Sequence, residues 1–190
     1  MKLKYSALLA TLLTPFMAFA HPGHSHHETH SFMSGVTHPV TGVDHLIMLV
    51  AFGFLIGALS WSLKKSSALV GAGLISLVAG MAIGKMLGFA AIVEPMIVAS
   101  LFVVSLCLWQ VFSPNTKRVN SMLAVSIGLL FFHGYAHGVE AAANLGQFAT
   151  GMALSATALM TVGVFVSRLV TSKWLSVGVA SASALWMLTA

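Results

Sequence analysis

The chain has 190 residues, of which 58% are hydrophobic and only 7% are charged, and its formal net charge is +5. Soluble domains carry about 25% charged residues, so this composition excludes an ordinary soluble domain and is typical of a protein embedded in lipid. The single cysteine, Cys107, excludes an intramolecular disulfide and a thiolate cluster, which leaves histidine, carboxylate and methionine as metal donors. The modest positive charge does not indicate a nucleic-acid partner.

Residues 1–20 have the pattern of a secretory signal peptide. A basic start at Lys2 and Lys4 precedes an apolar run, which ends in the small-x-small sequence AFA at residues 18–20. Cleavage after this sequence would place the start of the mature chain, His21, on the outer side of the membrane. An uncleaved signal anchor is the alternative interpretation.

Residues 21–41 are interpreted as a periplasmic His-rich segment followed by a loop that leads into the first span. Flexible His-rich tracts bind divalent metals without a fixed geometry, so the segment is a candidate metal antenna, with a merely polar tail as the alternative. Because Pro39 disfavours a helical conformation at the preceding residue, His38 is predicted to be extended and to act as a ligand at the mouth of the site. The histidines of the candidate antenna are His21, His24, His26, His27 and His30.

Residues 42–190 are predicted to form an all-α bundle of six transmembrane helices. Apolar runs of about 20 residues recur, and each is long enough to cross a hydrocarbon core of about 30 Å. Short connections such as KKSS at residues 64–67 leave no room for a soluble domain between the spans. The predicted spans are approximately Val43–Leu63, Ser67–Leu87, Val93–Phe112, Val119–Ala141, Phe148–Arg168 and Trp174–Ala190.

The loop charges predict the orientation of this bundle. With the mature N-terminus outside, six of the seven basic residues beyond position 20 lie at the inner ends of spans, as the positive-inside rule requires. The exception is Lys85, which is predicted to extend towards the outer interface or to pair with Glu94. We therefore expect a multi-pass protein of the bacterial inner membrane with a periplasmic N-terminus.

Glycines recur at every fourth residue in two of the predicted spans, at Gly53 and Gly57 and at Gly80, Gly84 and Gly88. Small residues on one helical stripe let helix backbones approach closely in lipid. These stripes are therefore predicted to be packing surfaces.

The polar residues of the fourth predicted span lie on one helical face. The spacings of His133, His137 and Glu140 are i to i+4 and i to i+3. Two imidazoles and a carboxylate provide nitrogen and oxygen donors that suit divalent nickel, cobalt or zinc. Gly134 and Gly138 have no side chain beyond a hydrogen atom, so the helix surface beside the histidines leaves room for a neighbouring helix or an ion.

Further ionisable residues are predicted at the same outer depth: Asp44 and His45 open the first span, and Glu94 opens the third. Each is expensive in hydrocarbon and is therefore a candidate functional residue. The competing interpretation is structural: each histidine would form a hydrogen bond to a neighbouring helix, and each carboxylate would cap the helix that carries it.

Met48 is a weak candidate ligand, and Cys107 is predicted to be a small buried residue. The predicted metal ligands are His38, Asp44, His45, Glu94, His133, His137 and Glu140.

The residues that carry this chemistry resemble the motifs of a known family. The sequence HPVTGVDHLIM at residues 38–48 resembles the signature of the HupE/UreJ family of nickel and cobalt permeases. HGYAHGVE at residues 133–140 is similar to that family's second polar motif, and VEPMIVAS at residues 93–100 to its third-span segment. The resemblance covers essentially the whole mature chain and implies uptake of nickel or cobalt for hydrogenase or urease maturation, without ATP hydrolysis by the permease.

Together these features predict a secondary transporter for divalent transition metals, most simply nickel or cobalt, with zinc or copper as other candidates. No permanently bound cofactor is expected, because the ion is cargo. A membrane cytochrome with axial histidines and a metal chaperone or sensor without transport are the competing functions. An enzyme is not predicted, since no motif supplies a positioned base and a substrate cleft.

Overall fold

The computed structural model describes residues 31–59, 62–112, 118–140, 144–170 and 172–189. The predicted signal peptide and the His-rich antenna lie outside these residues. Within them the chain is all-helical, as predicted. The seven helices are α1 (Phe32–Thr41), α2 (Val43–Ala58), α3 (Leu63–Leu87), α4 (Val93–Val111), α5 (Val119–Glu140), α6 (Leu145–Val166) and α7 (Trp174–Thr189).

Several of these helices are long and apolar enough to span a membrane. Among the described residues, α3, α4, α5 and α6 qualify, and α1 with α2 forms a fifth candidate that is bent by 78°. Helix α7 is apolar but has only 16 residues, which corresponds to a length of about 24 Å. The chain is thus a multi-pass membrane protein, and the count of six spans stays a prediction.

Helix α2 lies at the centre of the bundle and contacts α1, α3, α4, α6 and α7. Most of its residues are buried, among them Phe52, Leu55 and Ile56 in the main apolar core. Cys107 is a buried member of the same core, as predicted, and its Sγ lies 3.5 Å from Ser126 Oγ. The central position of α2 fixes the place of the polar residues at its first turn.

The predicted glycine stripes are packing surfaces, with one exception. A Cβ added at Gly80 or Gly84 would overlap backbone atoms of α5, and one at Gly53 would overlap α6. Helix backbones therefore touch directly at these points, as expected in lipid. The prediction is wrong for Gly88, which has open space around it and ends α3 with a φ of 74°, a conformation that favours glycine.

Residues 32–41, directly before the first predicted span, form a helix and not the predicted loop with an extended His38. Ser31 and Ser34 form a capping box that starts α1, and Pro39 lies inside the helix. His38 is consequently helical, because the bias imposed by a following proline is weaker than this cap and the packing of α1 on α6. That packing is tight: Cβ atoms at Gly35 and Gly151 would each overlap backbone of the facing helix.

Two further details of the chain differ from the sequence-based expectation. The sequence KKSS lies within the first turns of α3 rather than in a connection, because Ser62 caps the helix by accepting a hydrogen bond from Lys65 N. Lys85 and Glu94 are both exposed, and no ion pair joins them among the described residues. Of the two predictions for Lys85, exposure at the interface is the one that the structure permits.

Candidate metal centre

Five of the predicted ligands meet in one cluster at one end of the bundle. His38 comes from α1, Asp44 and His45 come from the first turn of α2, and His133 and His137 come from α5. His38 is half-buried, whereas the other four are only 1–5% exposed. Buried polar side chains at this density need partners or a ligand.

The helix packing explains why the α5 histidines point into the cluster. His133 and His137 are four residues apart and share one helical face, as the sequence predicts. The glycines that follow them, Gly134 and Gly138, lie directly against the carbonyl oxygens of Leu77 and Met81 in α3. This close contact fixes α5 on α3, so the glycines make room for a neighbouring helix beside the histidine face.

The part of the cluster nearer the end of α5 is built from histidines alone. His137 Nε2 lies 2.9 Å from His45 Nε2, and the His38 ring centroid lies 4.2 Å from that of His137 and 5.0 Å from that of His45. One ring nitrogen from each of the three lies within 4.8 Å of the others. We call this set the outer group, since His38 is its half-exposed member.

A second set lies about one helical turn further into α5, at His133. His45 Nδ1 is 2.9 Å from Asp44 Oδ1, and His133 Nδ1 is 4.0 Å from Asp44 Oδ2. Asp44 Oδ2 is buried and has no hydrogen-bond partner among the described residues. One donor atom from each of these three residues also lies within 4.8 Å of the others. We call this set the inner group.

Two residues that the sequence analysis did not single out complete the surroundings. Ser100 Oγ in α4 donates to the Ile97 carbonyl at 2.5 Å and lies 2.8 Å from His133 Nε2. Phe148 of α6 covers the outer group, with its ring centroid 5.7 Å from that of His137. A serine or a phenylalanine in an apolar helix carries no signal that separates it from a packing residue, so only the fold identifies them.

Three other candidate ligands were named from the sequence: Glu94, Glu140 and Met48. Glu94 lies exposed in the first turn of α4, and the structure does not bring it to the cluster. Glu140 is the last residue of α5, and its side chain lies outside the described part of the structure. Met48 is fully buried in the apolar core, consistent with packing.

Gly42 separates α1 from α2, at the 78° bend between the two helices. Its φ of −75° is open to any residue. A Cβ there would lie 3.2 Å from His45 Nδ1 and 3.3 Å from Asp44 Oδ1, tighter than ordinary van der Waals contact. Glycine at this position therefore leaves space around the Asp44–His45 pair.

The donor set fits a divalent transition metal. Imidazole nitrogens bind such ions at about 2.0–2.1 Å, so two nitrogens 2.9 Å apart match neighbouring positions around one ion. The bond from His45 Nδ1 to Asp44 is the contact that orients a metal-binding imidazole and raises its basicity. Nitrogen with a carboxylate suits nickel, cobalt or zinc.

Comparison with known proteins places the chain in a family. Residues 9–189 match the family described as HupE / UreJ protein. Protein HupE of Rhizobium leguminosarum bv. viciae is 28% identical over 173 residues, which cover 88% of this chain and 86% of the relative. No solved structure matches the chain. Because the family match extends over nearly the whole sequence, this protein belongs to the HupE/UreJ family.

Proposed function

We propose that the protein is a permease that takes up divalent transition-metal ions, nickel or cobalt, through the His/Asp cluster. The observation that carries this proposal is the meeting of four histidines and one carboxylate from three helices at one end of a membrane bundle. A cation that enters such a site exchanges water for nitrogen and oxygen donors, and Asp44 offsets part of its charge. Membership of the HupE/UreJ family supports the choice of metal through the resemblance described above.

The position of the cluster favours uptake from the outer side. His137 and Arg118 lie at opposite ends of α5, separated by 19 residues and about 28 Å along the helix axis. Exposed basic residues lie at the helix ends on the side of the bundle away from the cluster. They are Lys64 at the start of α3, Arg118 before α5 and Arg168 after α6. By the positive-inside rule that side is cytoplasmic, so the cluster faces the periplasm in the inner membrane.

The donor types also suit a transporter rather than a storage site. The described cluster contains no thiolate, and a mixed nitrogen and oxygen site holds nickel or cobalt with an affinity that permits release. The histidines before residue 31 are proposed to raise the local metal concentration at the outer mouth. Zinc and copper are competing cargoes, and each is added unlabelled as a competitor in the uptake experiment described next.

The test is uptake of radioactive nickel and cobalt by cells that produce the protein. We expect uptake by the unaltered protein and at least a tenfold loss in His137→Ala and in Asp44→Ala. Tyr135→Phe is the matched control: it lies between the two histidines of α5, and its hydroxyl bonds to the Gly88 carbonyl outside the cluster. Equal membrane levels of all variants are checked by immunoblot.

Reconstitution into liposomes separates transport from the competing functions. Metal flux into liposomes that contain only this protein supports the permease. Binding without flux would instead identify a chaperone or sensor. A Soret band in the purified protein would identify a haem protein and overturn the proposal.

A further inference from the structure

We propose that the cluster holds two successive ion positions that share the His45 ring and are occupied one at a time. The outer position is the outer group, His38, His45 and His137, and the inner position is the inner group, Asp44, His45 and His133. This inference rests on the proposed function for the identity of the cargo.

The geometry of His45 carries the proposal. Its two ring nitrogens point to different groups: Nε2 lies 2.9 Å from His137 Nε2, and Nδ1 lies 2.9 Å from Asp44 Oδ1. A neutral imidazole has one nitrogen with a lone pair and one that bears hydrogen. It can therefore ligate an ion on one side only, while its other nitrogen donates a hydrogen bond.

Each of the two states keeps every contact of the ring in use. With the ion at the outer position, His45 ligates through Nε2 and donates from Nδ1 to Asp44. With the ion at the inner position, His45 ligates through Nδ1 and donates from Nε2 to His137. The ring holds one proton in both states, so its charge does not change. Two divalent ions on either side of one imidazole would also repel each other strongly, with only Asp44 to offset their charge among the described residues.

Ser100 prepares His133 for the inner position. Its hydroxyl proton is directed at the Ile97 carbonyl, so Ser100 Oγ accepts from His133 Nε2. That bond selects the tautomer in which His133 Nδ1 carries the lone pair, and this atom faces Asp44 Oδ2 at 4.0 Å. A single ion with bonds of about 2.1 Å to each atom can bridge such a separation. Ser100 is thus a positioning residue for the inner position alone.

Burial gives the two positions an order. His38 is the half-exposed member of the outer group, whereas all three members of the inner group are buried. Along α5, His133 lies one turn deeper than His137. An ion that arrives from outside therefore meets the outer position first. When it moves inward, the His45 Nδ1 proton leaves through Asp44 to water as Nδ1 binds the ion, and Nε2, released on the outer side, takes up one proton from water.

The test is titration of the purified full-length protein with Co²⁺, whose visible spectrum reports the ligand set. The five histidines before residue 31 are replaced by serine in all samples, so that only the cluster binds. We expect one Co²⁺ per chain at saturation. His137→Ala and His133→Ala should each still bind one Co²⁺, with spectra that differ from each other, and the double variant should bind none.

Two outcomes would overturn the inference while leaving the proposed function standing. One is the binding of two Co²⁺ ions per chain, and the other is complete loss of binding in either single variant, as a single composite site requires. If an alanine variant fails to give a monodisperse protein, His137→Gln and His133→Asn replace it. Failure of the proposed function is seen separately, as absence of nickel and cobalt uptake by the unaltered protein.

A double-variant comparison isolates Ser100. In the His137→Ala protein, where the ion occupies the inner position, Ser100→Ala should lower the Co²⁺ affinity about 10- to 100-fold. In the His133→Ala protein the same change should leave the affinity unaltered, and Ser100→Thr should restore the hydroxyl effect. An equal loss in both backgrounds would mean that Ser100 acts only on general packing, which contradicts the proposed role.

Discussion

The Nε2 atoms of His45 and His137 lie 2.9 Å apart, although 92 residues separate them in the sequence. The contact joins the first turn of α2 to the last turns of α5, and both rings are almost completely buried. It links the outer group to the inner group, because the other nitrogen of His45 bonds to Asp44.

Replacement of His45 by alanine should abolish metal uptake and weaken metal binding more than replacement of any other member of the cluster. The physical reason is that His45 belongs to both groups, whereas His38, His137 and His133 each belong to one. Binding is measured by Co²⁺ titration and uptake with radioactive nickel. If His45→Ala lost no more metal affinity than His38→Ala, this result would contradict the role of His45 in both groups.

Asp44→Asn should lower the affinity for nickel about 10- to 100-fold. The amide keeps the size of the side chain, and its oxygen can still accept from His45 Nδ1, but the substitution removes the negative charge that offsets the ion and strengthens this hydrogen bond. Calorimetric titration of the purified protein measures the change. Asp44→Glu tests the charge separately: a similar loss there would show that the position of the carboxylate matters as much as its charge.

Gly134→Ala should destabilise the bundle by about 1–3 kcal/mol, as overpacking does in well-packed interiors. A Cβ at Gly134 would overlap the Leu77 carbonyl, so α5 would have to move away from α3 and carry His133 with it. Gly128→Ala is the matched control in the same helix, since no atom lies within 4 Å of a Cβ there. Thermal unfolding in detergent compares the two, and equal midpoints would argue against this contact.

Gly42→Ala should weaken metal binding with little effect on stability. The backbone conformation of Gly42 suits alanine, but the added methyl group would press on His45 Nδ1 and Asp44 Oδ1, each of which has to give by a few tenths of an ångström. Nickel titration and thermal unfolding of the same sample separate the two effects. A fall in the unfolding midpoint as large as that of Gly134→Ala would indicate a structural role instead.

Metal binding should weaken as the pH falls from about 7.5 to about 5.5. Imidazole ligates a metal only when it is neutral, so protons compete with the ion at each histidine of the cluster. The metal affinity should therefore rise with rising pH. In His38→Ala, which has one histidine fewer, the metal affinity should fall less steeply on acidification than in the unaltered protein. Titrations with Co²⁺ across this range measure it, and an affinity independent of pH would exclude histidine ligation.

The composition and the motifs of the sequence predicted the helical membrane fold and most of the residues of the cluster, but not the conformation of every one of them. Low charge and apolar runs of about 20 residues predicted a helical membrane protein, because a helix of that length crosses the hydrocarbon core and bonds its backbone polar groups internally. The spacing of His133 and His137 placed both on one face, because helical periodicity is a local property. The prediction for His38 failed in conformation, since the effect of Pro39 is also local and the capping box and the packing of α1 on α6 outweigh it.

Only the tertiary structure decided which of the candidate donors meet. Asp44, His45 and Glu94 all open predicted spans, yet Glu94 is exposed and the other two are buried in the cluster. The division of the cluster by the two nitrogens of His45, and the contact of Ser100 with His133, depend on the rotation and depth of each helix in the bundle. Those quantities depend on packing between helices far apart in the chain, which includes the glycine contacts of α5 with α3 and of α2 with α6, so no local pattern of residues specifies them.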